Sequence, residues 1–468
     1  MTQTPPRRMS SLERALRNTC LNLMKCLLIA AQLGIYTVMW FRVYRSNIRH
    51  PYWDMGNWAV IGVFMVFYVL FARLYGGFHI KTSRTSQLFY SLFIGSVFST
   101  ALCYCVLCLL NYEITNPLPL LIAWGVGLLV SLVWAPLASL LNDFLFPPVR
   151  TYVIYNNEDS YASIASLQKL EWKFSVAGVL KLSDSQDNLD EILSSIRGAE
   201  AVFLCGLSSS IRNTILKFCI EEDIHAYIQP NIGDILISGA SRLQLMNIPV
   251  LHCCRNKNSF WYRIISRTLD IVISGAALIL LSPIMLITAL VIRLYDGGPA
   301  FYKQVRLTEN GREFRILKFR SMRVDAEKDG VARLAAEHDD RITPVGHFIR
   351  KCRLDELPQL INIFRGDMAI VGPRPERPEI AAQYEQEMPE FHLRLQVKAG
   401  LTGYAQVYGK YNTRPYDKLE MDLLYIANQS LLQDLRLMFA TVKILFQSES
   451  TEGIEDGKTT AGKENIPV

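Results

Sequence analysis

Hydrophobic positions gather first in four long runs, near Leu21–Trp40, Trp58–Leu74, Leu88–Leu110 and Pro119–Leu141. Each approaches the roughly 20 residues that cross a hydrocarbon core, so each predicts a membrane-spanning helix. Lys25, near the start of the first, can snorkel to the interface. A fifth run, Ile271–Ile292, carries no charge, yet Ser282–Pro283 stands at its middle. Proline removes a helix hydrogen bond and crowds the preceding turn, so a break is expected there. Between residues 148 and 255 the pattern changes to short apolar strands (Tyr152–Tyr155, Ala201–Leu204, Ala226–Gln229) alternating with helical patterns at Ala165–Leu170 and Ile211–Ile220. Such alternation predicts a small parallel sheet.

Charge gives the runs a direction. Arg7, Arg8, Arg14 and Arg17 precede the first span, and Arg73, Lys81 and Arg84 separate the second from the third. Asn111–Asn116, between the third and fourth, holds Glu113 and no base. The positive-inside bias therefore puts the amino terminus and everything after residue 141 in the cytoplasm, with Arg42, Arg45 and Arg49 counting against it. Lys303, Arg306, Arg312, Arg315, Lys318, Arg320 and Arg323 follow the fifth run closely. Exporting that segment would oppose the same bias, so a helix over 264–293 that turns back at Ser282–Pro283 is expected, against a kinked fifth span.

Composition narrows the class. Half of the 468 residues are apolar and a fifth are charged, with a net charge of +6. This excludes a disordered chain, and the long runs exclude an ordinary soluble enzyme. The ten cysteines give no disulfide or zinc spacing: Cys20, Cys26, Cys103, Cys105 and Cys108 lie in apolar runs, and Cys253–Cys254 is an adjacent pair. The first run lacks a small-residue cleavage site, so it reads as retained. The turn Asn156–Ser160 has two acids and no glycine, whereas a dinucleotide site needs glycine there. The middle domain thus reads as regulatory or as an assembly surface. Ser448–Val468 is polar and expected to be a disordered tail.

Candidate chemistry starts after Asp296. Gly297-Gly298-Pro299 is a turn, Ala300–Val305 and Glu313–Met322 are extended, and Lys318 and Arg320, two apart, would share one strand side. Two parallel cations suit a diphosphate, or equally border anionic lipid. Next come Arg350 and Asp355-Glu356, then a helix spaced by Leu357, Leu360, Ile361 and Phe364 and ended by Gly366. Free N–H groups at a helix start favour the two acids, so simple capping is the plain alternative. Gly372-Pro373-Arg374-Pro375-Glu376-Arg377-Pro378 is an arginine loop stiffened by prolines, which lowers the cost of presenting a guanidinium to phosphate. Adjacent carboxylates diverge and cannot flank a sugar ring, so glycoside hydrolysis is disfavoured. One nucleophile and one Mg²⁺ ligand is the division that adjacency permits, with Glu356 suited to the metal.

From about Arg263 to Phe446 the chain resembles the catalytic domain of bacterial polyprenyl-phosphate sugar-1-phosphate transferases, the monotopic phosphoglycosyl transferases that initiate exopolysaccharide or O-antigen synthesis. The matching residues are Ser282–Pro283, Lys318-Phe319-Arg320-Ser321-Met322, Asp355-Glu356-Leu357-Pro358-Gln359, Gly366-Asp367-Met368, Val371–Glu376 and Gly400–Val407. Four preceding spans and a degenerate nucleotide-fold domain resemble its large-format members.

The resemblance implies a four-span bundle (1–147), an α/β middle domain (148–255) and an α+β catalytic domain on a re-entrant membrane helix (256–447), followed by the tail (448–468). It implies Asp355 as nucleophile, Glu356 as Mg²⁺ ligand, and Arg350 and Arg374 at phosphate, with Lys318, Arg320 and Arg377 as further phosphate-binding candidates. The implied substrates are a UDP-sugar and undecaprenyl (polyprenyl) phosphate at the cytoplasmic face of a bacterial inner membrane. Membrane lipid is a partner and nucleic acid is not; a homo-oligomer or polysaccharide-assembly proteins stay open. Three departures are visible: the family usually has glycine at Thr308, proline at Ala399 and arginine at Lys410. A membrane-anchored nucleotide-sugar dehydratase would need a glycine-rich turn and a Tyr-x-x-x-Lys pair, and no tyrosine has lysine four residues later. A non-catalytic scaffold for polysaccharide assembly fits residues 1–255 but leaves Asp355–Arg374 unexplained.

Overall fold

The computed structural model describes residues 11–47, 54–156, 172–182, 188–255, 259–323, 341–409 and 414–445. The helical pattern at Ala165–Leu170, most of the turn at Asn156–Ser160, Lys410 and the tail lie outside them. The chain forms two compact units, residues 1–229 and 230–468.

The first unit opens with four helices, α1 (Ser11–Met39), α2 (Asp54–Leu74), α3 (Thr85–Asn111) and α4 (Leu118–Leu145), at the four leading apolar runs. Aromatic residues dominate one part of their shared core, with Tyr36, Trp40, Phe64 and Tyr68 packed on Cys103, Leu107 and Leu120. Two polar side chains inside the bundle are bonded across it, as an apolar surrounding favours. Gln32 donates to the Gly127 carbonyl at 2.7 Å, and Trp40 Nε1 donates to Asn57 Oδ1 at 3.0 Å. The outward faces keep large apolar side chains exposed, such as Leu109, Leu140 and Phe144.

The same unit ends in a four-stranded parallel sheet ordered β2-β1-β3-β4. Its strands are β1 (Val149–Tyr155), β2 (Phe174–Lys181), β3 (Ala201–Cys205) and β4 (His225–Ile228). Helices α5 (Leu189–Ile196) and α6 (Ser209–Glu221) cover one face through Ile192, Ile196, Ile211 and Ile215. Three strands coincide with those read from the sequence. The edge strand β2 was hidden because Ser175, Gly178 and Lys181 interrupt its apolar positions.

The second unit is mixed α/β. Its first elements are α7 (Ile232–Ser238) and the hairpin β5 (Ser241–Leu245)–β6 (Ile248–His252). The sequence reading grouped residues 230–255 with the middle domain, but Ile232 and Ile235 pack with Ala381, Phe391, Leu419 and Leu423 of this unit. After the long helix α8 (Phe260–Asp296) come the antiparallel pair β7 (Phe301–Leu307) and β8 (Glu313–Phe319), then α9 (Pro344–Lys351) and α10 (Gln359–Arg365). Strands β9 (Ala369–Val371) and β10 (Gly400–Thr402) pair in parallel around α11 (Pro378–Glu387). Helices α12 (Tyr404–Tyr408), α13 (Pro415–Ala427) and α14 (Leu431–Leu445) close the unit. Phe314, Ile316, Leu360, Ile363, Met368, Ile370, Tyr425 and Leu437 form its centre.

Among the described residues five helices, α1 to α4 and α8, are long and apolar enough to cross a membrane. Helical backbone runs unbroken through Ser282 and Pro283, where the sequence led to an expected break. Side-chain chemistry explains the continuity. Pro283 has no N–H for the Ile279 carbonyl four residues back, and the Ser282 hydroxyl donates to that oxygen at 2.8 Å instead. One stripe of α8 packs on the unit along most of its length, through Asp270, Ser274, Ala277, Leu281, Met285, Thr288 and Ile292. The opposite face leaves Ile279, Leu280 and Leu286 more than 70% exposed.

Candidate active site

Asp355 and Glu356 lie in a 3-10 turn, Leu354–Glu356, that precedes α10 rather than opening it. Arg353 at its start takes a left-handed conformation (φ 53°), and Pro358 caps α10. The turn is brought to β8 by a side chain absent from the sequence reading. Asn362 on α10 accepts from the Leu317 N–H and donates to the Arg315 carbonyl, both at 2.9 Å, so its amide behaves as a neighbouring strand would. Lys318 is thereby set against the acidic turn.

Glu356 Oε1 accepts from Lys318 Nζ and from Arg374 Nη2, each at 3.0 Å. These two cations hold its carboxyl far below the usual carboxylate range in spite of burial. Asp355, half-buried beside it, is affected the other way. Desolvation first, then the charge on Glu356, push its carboxyl up, while Lys318, Arg350 and Arg374 pull it back. Neighbouring acids are thus split into a fixed anion and a carboxyl that takes a proton more readily, a separation suited to distinct chemical roles.

Arg374 stands on a loop fixed by backbone contacts. Gly372 N–H donates to the Thr402 carbonyl at 2.8 Å and Gly400 N–H to the Pro373 carbonyl at 2.9 Å. The two chains run so close that a Cβ on Gly400 would fall 2.1 Å from the Gly372 nitrogen, which excludes any larger residue. Of the other predicted residues, Arg350 lies in the last turn of α9 and acts on Asp355 through its charge. Arg377 caps α11 near Arg306. Arg320 is paired elsewhere: its guanidinium binds Asp296 at the end of α8. Strand β8 ends at Phe319, so period-two alternation does not carry from Lys318 to Arg320, and the two cations serve different acids.

Two of the three departures from the family pattern are bonded to one another. Thr308 Oγ1 accepts from the Ala399 N–H at 3.2 Å and donates to the Asp367 carbonyl at 3.1 Å. Besides Asn362, sequence reasoning passed over the Arg394–Asp422 pair and the contact of Arg306 with Glu376. Arg306 could have been suspected, because Tyr302, Gln304 and Arg306 alternate as polar positions on β7. Nothing local in the sequence links Arg394 to Asp422.

Among the described residues no group of three or more His, Cys, Asp or Glu is placed to hold a metal. Magnesium commonly needs only one or two carboxylates, with substrate phosphate and water completing its shell. The donor set fits that mode: Glu356 is held ionised, and both of its cationic partners share Oε1.

The sequence profile of the bacterial sugar transferases matches residues 261–448. The chain is 42% identical over 187 residues to the UDP-N-acetylgalactosamine-undecaprenyl-phosphate N-acetylgalactosaminephosphotransferase of Aeromonas hydrophila, covering 39% of this chain and 44% of that protein. It is 40% identical over 208 residues to the UDP-glucose:undecaprenyl-phosphate glucose-1-phosphate transferase of Escherichia coli (strain K12), covering 43% and 45%. These matches span about half the length of either relative. The exopolysaccharide production protein PSS of Rhizobium leguminosarum bv. phaseoli is 39% identical over 199 residues, 41% of this chain and 97% of that protein. The matched segment, residues 261–448, takes in the Asp355-Glu356 turn, the Arg374 loop and most of α8. The chain belongs to the bacterial sugar transferase family.

Proposed function

We propose that the protein moves a sugar 1-phosphate from a UDP-sugar to undecaprenyl phosphate, initiating an exopolysaccharide, capsule or O-antigen. The observation that carries this reading is the division of labour in one turn: Glu356 is locked between Lys318 and Arg374, and Asp355 beside it is left for chemistry. A carboxylate oxygen of Asp355 attacks the sugar-proximal phosphorus and the bond to the bridging oxygen breaks, releasing UMP. The lipid phosphate then attacks the phosphorus held on Asp355, the acyl-phosphate bond breaks, and the carboxylate is restored. Arg350, Arg374 and Lys318 offset charge on the phosphoryl oxygens, where most of the catalytic effect in phosphoryl transfer lies. Mg²⁺ bound through Glu356 would supply further neutralisation of the diphosphate.

We further propose that α8 is re-entrant, bending at Pro283 while its helical backbone continues, with the catalytic unit on the cytoplasmic face of the inner membrane. A straight helix of its 37 residues would be about 55 Å long, more than a bilayer needs. Arg267 near its start donates to the Ile363 and Phe364 carbonyls, and Asp296 at its end pairs with Arg320, so both ends are tied to the same unit. Its exposed apolar face is then available to lipid on one side. Thiol labelling of Ser259→Cys and Glu309→Cys, mapped by peptide mass spectrometry in sided vesicles, should find both on one side. Opposite sides would establish a fifth span.

The activity is tested with the full chain in membranes, undecaprenyl phosphate and a panel of UDP-sugars. UDP-glucose, UDP-galactose and UDP-N-acetylgalactosamine come first, the relatives' names adding the last. One donor should give a lipid-linked product with UMP release; a folded protein inert toward every donor overturns the reading.

A further inference from the structure

Behind the Arg374 loop lies a buried ion pair that the reaction above leaves unused. Arg394, in the 3-10 segment Pro389–Gln396, is 7% exposed, and Asp422 on α13 is 1% exposed. Their side chains meet at 2.7 Å, and the same Arg394 nitrogen donates to the Arg374 carbonyl at 2.8 Å. The two loop residues that follow are held too. Arg306 donates to the Pro375 carbonyl at 3.1 Å, and the Leu307 N–H donates to the Glu376 carbonyl at 2.9 Å. Three successive carbonyls, 374 to 376, therefore each accept from a donor outside the loop.

Burying two charges carries a desolvation cost for each ion, and their attraction seldom returns more than an apolar pair would. A gain in stability is a weak reason for such a pair; fixing a backbone is a better one. The loop's outward product is the Arg374 guanidinium, whose reach to Glu356 depends on where its backbone stands.

We infer that Arg394, backed by Asp422, is a positioning residue that sets the Arg374 guanidinium in register with Glu356 and the donor's phosphates. This rests on the function proposed above, so the test separates the two. UMP release against donor concentration, and UDP binding by calorimetry, are measured on the full chain. The variants are Arg394→Lys, Arg374→Ala and the double variant, with thermal unfolding as the control for folding. A lysine ammonium stands nearer its own backbone than the Arg394 Nη2 that meets both oxygens, so it cannot occupy that point between them. Arg394→Lys should lower kcat/KM by about tenfold or more, in line with the cost of small misplacements. In the Arg374→Ala background the same change should cost less than about twofold, because the group it positions is gone. Equal losses in both backgrounds overturn the inference. If no donor is turned over, the functional reading fails by itself. The cycle is then read in UDP affinity, where non-additivity supports positioning and additivity overturns it. Should Arg394→Lys not fold, Asp422→Asn, which keeps the guanidinium and loosens its anchor, carries the same cycle.

Discussion

The backbone N–H of Ala399 donates to the hydroxyl of Thr308 at 3.2 Å, joining two positions 91 residues apart inside the catalytic unit. Both are almost fully buried, at 4% and 1% exposure. An orphaned buried N–H costs about 1–3 kcal/mol. Thr308→Val keeps the shape and removes the acceptor, so it should destabilise the unit by that order, read by thermal or denaturant unfolding. Ala399→Pro deletes the donor and should recover part of the loss in the Thr308→Val background. A double variant no more stable than Thr308→Val would show that the bond is incidental.

Asp355→Asn separates chemistry from folding. If Asp355 is the nucleophile proposed above, its loss should lower transfer by about 10³-fold or more, as removal of single essential groups does elsewhere. Because burial and Glu356 raise the Asp355 carboxyl, its ionised form opposes folding once the pH exceeds the ordinary aspartate value of about 4. The Asn variant should therefore melt higher than the parent at neutral pH. Radioactive sugar phosphate from the donor alone should label the parent and not the variant.

Acidity acts on the two carboxyls in opposite directions. Glu356 has a depressed folded pKa, so its contribution to stability is complete above about pH 4.3, the unfolded value, and fades as pH falls toward the folded one. Activity should fail earlier on acidification, because Asp355 takes up its proton above the usual aspartate range. A kcat/KM profile whose acid limb lies above about pH 4, while the protein stays folded, checks both signs.

Lys318→Met tests the locked anion. It removes one of the two cations on Glu356 Oε1, leaving Arg374 as partner. The side chains are 22% and 16% exposed, so the pair is more than a surface contact. Breaking it should cost about 1–3 kcal/mol in unfolding free energy. Glu356→Gln in the same background should cost little more than either single change. Full additivity would separate Lys318 from Glu356.

Ser282→Ala removes the donor that replaces the missing Pro283 N–H, leaving the Ile279 carbonyl without it among apolar side chains. In lipid such an oxygen has no water to turn to. Membrane-extracted protein should lose thermal stability, and Ser282→Ala with Pro283→Ala should regain it, since the backbone bond is then restored. No difference between the single and double variants would refute this account.

By itself the sequence determined the elements whose causes are local. Long apolar runs became α1 to α4 and α8 because length and hydropathy are properties of a continuous stretch. Strands β1, β3 and β4 followed from short apolar clusters, and Gly366 ended α10 at φ 95° because that backbone suits glycine. Asp355-Glu356 and the Arg374 loop were visible as motifs for the same reason. Only the tertiary structure decided which cation meets which acid. Lys318 and Arg320 are two residues apart, yet one joins Glu356 and the other Asp296, because β8 ends between them. Asn362 docking β8, Arg394 on Asp422 and Thr308 on Ala399 each join segments distant in the chain. Hydrogen bonds and ion pairs act over a few ångströms of space, and a chain order of residues fixes those distances only after it has folded.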